Sequence, residues 1–304
     1  MGTLGQCLGV ADHIARSNAA GGIATRIDRT SIWKNLLGRI MPFSVSRIDL
    51  VLSCGAAGER RARRALRSCP SAIWAHIEIP DQNRPDGPGL AFISNHDWRP
   101  EYGLRSTYRR IDGVPHRISH EYLAAARPGA RKRLCLGDGK LSAVLLGGPN
   151  PAFAFDDQVI ARMRAVVLAE AANSMVLVTE SRRSDPLLVR ALRDLQNVNV
   201  RFLADDPTFS YPEMLAAADS VLVSEDSISM TCEALTTGKP VRLLELMAIP
   251  GDRLEKFRRF QTHFIEELGI LSFYGDLQAD ISVRNVSLND TAFVARQILE
   301  KLGR

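Results

Sequence analysis

The sequence has no apolar run near the roughly 20 residues that a membrane-spanning helix needs, and no basic segment leads into an apolar stretch at its N-terminus. Integral-membrane and exported classes are thereby disfavoured, and a cytoplasmic protein is expected. Cysteine is scarce: five in 304 residues, at positions 7, 54, 69, 135 and 232, with no C-x-x-C pair. An odd, scattered set argues against a disulfide framework or a zinc site and fits reduced thiols. Also missing are a Gly-x-Gly-x-x-Gly turn and a Tyr-x-x-x-Lys pair, which speaks against a redox dinucleotide enzyme. The charge imbalance is small, +5, and the basic residues are overwhelmingly arginine. They are densest at Arg60, Arg61, Arg63, Arg64 and Arg67. No aromatic platform is interleaved with them, so nucleic acid is not the expected partner. A solvated helix face comes first, and contact with an anionic membrane surface second.

What is present is a soluble-type composition, 45% apolar and 24% charged, in a chain long enough for two domains. Strand-like and helix-like segments alternate throughout, which predicts parallel α/β layers. Strands are expected at 23–27, 48–53, 72–77 and 90–94, with helices at 6–16, 32–40 and 59–68 and a surface loop at 80–89. Residues 127–140 have the Gly, Pro and charge of a linker, which divides the chain into domains 1–135 and 136–304. The second half predicts strands at 142–146, 175–179, 200–203, 220–224 and from 241. Its helices are expected at 156–172, 185–195, 211–218, 228–237, 253–268 and 291–302, the closing ones able to pack back on the first domain. Two Rossmann-like domains facing across a cleft are expected, with ligands at the carboxyl ends of the strands.

The most informative segment is 219–244. A buried strand runs into Glu225, Asp226 and Ser227, then a helix through Ile228, Ser229, Met230 and Glu233, ending at Gly238. Free N–H groups and a positive dipole end at such a helix tip suit phosphate. Glu233, about two turns in, is placed to accept bonds from a ribose diol. The plain alternative is an ordinary βαβ unit with Ser227 as its N-cap. Gly147, Gly148 and Asn150 follow one strand, where glycines let backbone N–H groups approach a ligand. Ser181, Arg182 and Arg183 follow the next, a setting for bidentate phosphate binding. Phe209, after Asp205 and Asp206, offers a ring to a nucleobase; the aspartate pair itself reads as a turn. In the first half, His96 and Asp97 end an apolar strand and are the candidate catalytic base, although neighbours on extended chain point oppositely. Gly5 and Gln6 suggest an acceptor loop, and His116 is a weaker acceptor-side candidate. His76 reads as a core histidine, and His263 as packed or solvent-facing.

Taken in order, Gly5-Gln6-Cys7-Leu8-Gly9, Asn95-His96-Asp97, Gly113-Val114-Pro115-His116, Gly147-Gly148-Pro149, Ser181-Arg182-Arg183, Asp226-Ser227-Ile228-Ser229-Met230 with Glu233, and Lys256-Phe257-Arg258-Arg259-Phe260 form a pattern. It resembles the mitochondrial fission factor (elongated-mitochondria) family, whose bacterial members in turn resemble GT-B glycosyltransferases. The resemblance implies a nucleotide-diphosphate sugar as substrate, no cofactor or metal, Glu233 on the ribose, and residues 227–230 with Arg182 and Arg183 around the diphosphate. It further implies transfer to a lipid-linked or envelope-glycan acceptor, with peripheral contact at the inner face of the membrane. Plant members recruit division proteins, so an inactive scaffold is the alternative, and a sugar-nucleotide epimerase the third reading. Only Met1 precedes Gly2, so the strand that should deliver the first loop is absent. Met1 is expected to be an internal methionine of a longer protein.

Overall fold

The computed structural model describes residues 3–17, 48–195, 198–276 and 286–303. The strand expected at 23–27 and the helix expected at 32–40 lie outside them. The chain forms two compact units, Met1–Ile111 with Thr291–Arg304, and Asp112–Asp290.

In the first unit, helix α1 (Thr3–Ser17) precedes β1 (Leu50–Cys54), α2 (Gly55–Leu66), β2 (Ile73–Ile77), β3 (Leu90–Ser94) and β4 (Tyr108–Ile111). The strands form one parallel sheet in the order β1-β2-β3-β4. Alternation along β3 sends Leu90 and Phe92 to one face and Ala91 and Ile93 to the other. The first face packs on Val10 and Ile14 of α1 and on Val294, Ala295 and Ile298 of the last helix, Asp290–Lys301.

The second unit contains α3 (His120–Arg133), β5 (Leu141–Leu146), β6 (Phe153–Ala154), α4 (Asp157–Ala171), β7 (Met175–Glu180), α5 (Pro186–Arg193), β8 (Val200–Phe202) and α6 (Tyr211–Ala217). There follow β9 (Ser220–Ser224), α7 (Ile228–Leu235), β10 (Val241–Leu244), β11 (Met247–Ala248), α8 (Asp252–Thr262) and β12 (Ser272–Phe273). Six parallel strands run in the order β12-β10-β9-β5-β7-β8. Numbered within this unit, that is 3-2-1-4-5-6, the dinucleotide-fold order. Strand β5 is buried on both sides: Leu141, Ala143 and Leu145 join one core, Val144 and Leu146 the other. Helix starts follow the local chemistry. Asp156 and Asp185 cap α4 and α5, and Ser210 with Glu213 makes a capping box on α6.

The boundary between the two domains differs from the sequence expectation. Of the linker expected at 127–140, residues 127–133 instead end a helix of the second unit, His120–Arg133, despite Pro128 in its interior. Tertiary bonds hold it. Arg127 donates to the carbonyls of Ala216, Ala217 and Ala218, which end α6, and with Arg131 it grips Asp219 at 2.5 and 2.9 Å. The divide therefore falls at 111/112 and again at 290/291. Among the described residues, no helix is long and apolar enough to cross a membrane.

Candidate functional site

In the 3-2-1-4-5-6 order the connections from β5 and β9 leave in opposite directions, and a crevice opens between their carboxyl ends. A cavity of about 420 Å³ lies there, lined by Asn150, Pro151, Arg183, Asp226, Ser227, Ile228, Ser229, Arg253 and Phe257. Ser227 is the N-cap of α7, its Oγ accepting from Met230 N at 3.4 Å. The N–H groups of Ile228 and Ser229 have no intrahelical acceptor and sit at the positive end of the helix dipole. Arg183 and Arg253 are exposed and form no ion pair among the described residues. Two unspent guanidinium groups and a helix tip around one cavity make a site for a multiply charged anion. Phe257, Pro151 and Ile228 add an apolar wall. Phe257 is steadied edge-on by Phe153, ring centroids 5.0 Å apart.

The glycines act differently from expectation. Gly147 N donates to Ser224 Oγ at 2.7 Å, and Gly148 N donates to Asp226 Oδ2 at 2.8 Å. Their N–H groups are thus taken up by the protein. A Cβ on Gly147 would collide with the Asp226 carboxylate, and one on Gly148 with the Arg183 carbonyl. Their smallness lets the loops after β5, β7 and β9 close on one another. Asp226 itself is buried, its Oδ1 without a partner, and burial raises its pKa above the usual carboxylate value. Asn150 joins the same knot, Nδ2 donating to the Asp226 carbonyl at 3.3 Å. Ser181 and Ser184 staple the arginine loop to β5: Ser181 Oγ donates to the Gly147 carbonyl and Ser184 Oγ to that of Leu146.

Other expected residues lie elsewhere. Arg182 is exposed but does not line the cavity. Met230 packs on the core beneath α7. Phe209 is buried with the Arg133 guanidinium 4.9 Å above its ring, so it is a core residue and not an offered stacking face. Glu233 is 2% exposed and outside the cavity lining; its Oε2 accepts from Tyr211 at 2.8 Å and Oε1 has no partner. Burial pushes its pKa up to about 7, against the opposing pull of the Tyr211 bond.

On the first unit, Asn95–Asp97 is a 3-10 turn, not extended chain, and this brings His96 Nε2 to 3.6 Å from Asp97 Oδ2. His96 is buried and Asp97 half-buried. Gly5 and Gln6 already lie in the first turn of α1, so no loop exists at those positions. His116, expected on the acceptor side, belongs to the second unit. It is buried against Thr236 Oγ1 at 3.1 Å, and burial lowers its pKa to about 4. His76 is a core histidine, with Nδ1 2.8 Å from Ser53 Oγ.

The sequence profile of the mitochondrial fission ELM1 family matches residues 1–302. The chain belongs to this family. Among solved structures, it is similar to a protein of Listeria monocytogenes described as a UDP-N-acetylglucosamine 2-epimerase. Identity is 12% over 91% of this chain and 80% of that one, with a TM-score of 0.51. MurG of Acinetobacter baumannii is 12% identical over 99% of this chain and 89% of that one, with a TM-score of 0.48. The fold is that of GT-B proteins, two Rossmann-like domains in one chain. Compared by sequence with curated proteins, the chain has no match.

Besides Pro151, sequence reasoning missed two site residues, Arg253 and Phe257. They come from α8, behind the short strand β11, which pairs antiparallel with β6 beside Pro151. The only hint was the position of Phe257 in a basic, aromatic-flanked run.

Proposed function

We propose that the second unit binds a nucleotide-diphosphate sugar and that the chain is a glycosyltransferase acting on a lipid or envelope-glycan acceptor. The observation that carries this reading is the convergence of Arg183, Arg253 and the α7 tip on one cavity at the switch point of the sheet. In the proposal, the guanidinium groups and the N–H groups of Ile228 and Ser229 hold the diphosphate. Phe257 and Pro151 bound the sugar or base. Glu233 remains the proposed ribose acceptor through Oε1, which a nucleotide reaches only when the side chains covering it move.

The acceptor hydroxyl loses its proton to Asp97, the more exposed member of its pair with His96, and its oxygen bonds to the anomeric carbon. The anomeric carbon–oxygen bond breaks and its electron pair leaves on the diphosphate, whose charge the two arginines and the helix tip offset.

Calorimetry with UDP, GDP, CDP, ADP and dTDP tests the donor half. One diphosphate should bind, weakened about 10- to 100-fold by Arg183→Ala or Arg253→Ala and little changed by Arg182→Ala. Binding untouched by both cavity variants, or no binding by a folded protein, would refute it and favour a recruiting scaffold.

A further inference from the structure

Helix α2 carries Arg60, Arg61, Arg63 and Arg64, and Arg67 follows at its C-cap. At about 100° per residue, Arg60, Arg61, Arg64 and Arg67 fall within an arc of about 120° and a length of about 10 Å. All four are exposed, and none of their guanidinium groups has an ion-pair or hydrogen-bond partner among the described residues. Arg63 alone turns inward, bonding Glu59 at 2.8 Å and Asp86 at 2.6 Å with its guanidinium 5.0 Å from the Trp74 ring. The one acid on the helix, Glu59, is buried and spent on Arg63 and on the N–H of Asp81.

The surrounding charge points the same way. Residues 1–111 and 291–304 hold 19 Lys and Arg against 10 Asp and Glu, a balance of +9. Residues 112–290 hold 20 against 24, a balance of −4, which completes the chain's 39 and 34. The positive excess therefore belongs to the first unit alone. Between the arginines the exposed residues are small, Ala65 among them, and Ser68 follows. Among the described residues no exposed aromatic ring stands beside them for base stacking, which disfavours nucleic acid.

We propose that this face of α2 docks the first unit on anionic phospholipid headgroups. Planar guanidinium forks match phosphate oxygens two at a time, and the small intervening side chains let them approach together. Among the described residues no large apolar side chain projects from the face, so the contact is electrostatic, reversible and sensitive to salt. It does not depend on the nucleotide reading.

The test is co-sedimentation of the full chain with vesicles of phosphatidylglycerol in phosphatidylcholine and with phosphatidylcholine alone. Binding should require phosphatidylglycerol and fall steeply with added salt. Each arginine withdrawn should weaken it about fivefold, so Arg60→Gln, Arg61→Gln, Arg64→Gln and Arg67→Gln together should lose two to three orders of magnitude. These solvent-facing changes should leave thermal unfolding and any nucleotide binding unaltered, which separates this test from that of the donor cavity. Equal sedimentation with both vesicle types, or a quadruple variant that sediments like the parent, would overturn the proposal. So would displacement of the protein from vesicles by stoichiometric single-stranded RNA, in favour of a nucleic-acid surface. Salt titration of the unmodified chain probes the same contact without any variant, and sedimentation that salt does not weaken would also overturn it.

Discussion

Glu233→Gln should make the protein more stable at pH 8 than at pH 5, relative to the unmodified chain. The Glu233 carboxyl is 2% exposed, with one oxygen on Tyr211 and the other unpartnered, and its pKa moves from 4.5 to about 7 in the folded state. Below pH 4.5 both folded and unfolded chains keep the proton, and the group contributes nothing. Between 4.5 and 7 the unfolded chain ionises first, so folding loses stability as pH rises; above about 7 the loss is complete. At 1.36 kcal/mol per pKa unit it amounts to about 3 kcal/mol at pH 8, against less than about 1 kcal/mol at pH 5. The glutamine amide has its own fixed cost where Oε1 stood, but that cost is the same at both pH values and cancels. Urea unfolding of both proteins at the two pH values should therefore show a shift of roughly 2 to 3 kcal/mol in favour of the variant on going to pH 8. A difference between the proteins that does not change with pH would refute the placement of Glu233 as a buried acid.

Two further outcomes follow from the packing around the site. Gly148→Ala forces a methyl group into the Arg183 carbonyl and strains the bond from Gly148 N to Asp226, and should cost at least about 2 kcal/mol in denaturant unfolding. His263 is held between Glu267 at 2.7 Å and Asp112 at 2.9 Å; burial works against its charge, but those carboxylates outweigh it and raise its pKa above 6.5. Its stabilising effect is full below 6.5 and lost as pH rises through the folded value. His263→Gln should thus lower the melting temperature at pH 6 and have little effect at pH 9.

The alternation of parallel α/β segments was legible because strands buried on both faces are nearly continuous apolar runs, as in Leu141–Leu146 with Ser142 its one polar residue, and because Asp156, Asp185 and Ser227 mark the helix starts. Helix α3 was not, since Pro128 and Gly129 are poor local helix formers and what holds the segment is the grip of Arg127 and Arg131 on Asp219, some 90 residues away in sequence. At the site, the strand-turn-helix around Ser227 could be read locally. The capture of the Gly147 and Gly148 N–H groups could not, because spacing reveals a tight turn but not which acceptor fills it. The burial of Phe209 and Glu233 likewise depends on Arg133 and Tyr211, and Arg253 and Phe257 reach the cavity only through the order of the strands.

The discontinuity of the first unit has a consequence for synthesis. Val294, Ala295 and Ile298 cover the apolar face built by Val10, Ala75, Ile77 and Phe92, yet they leave the ribosome only after the whole second unit has done so. The second unit has all of its own residues, Asp112–Asp290, before that covering helix exists. It can fold while the earlier-made sheet still waits with only α1 on its apolar side and the rest bare, the state in which nascent chains aggregate or engage chaperones. Loss of the final helix should therefore appear first as poor soluble yield of the whole chain, with the parallel sheet of the second unit still able to form.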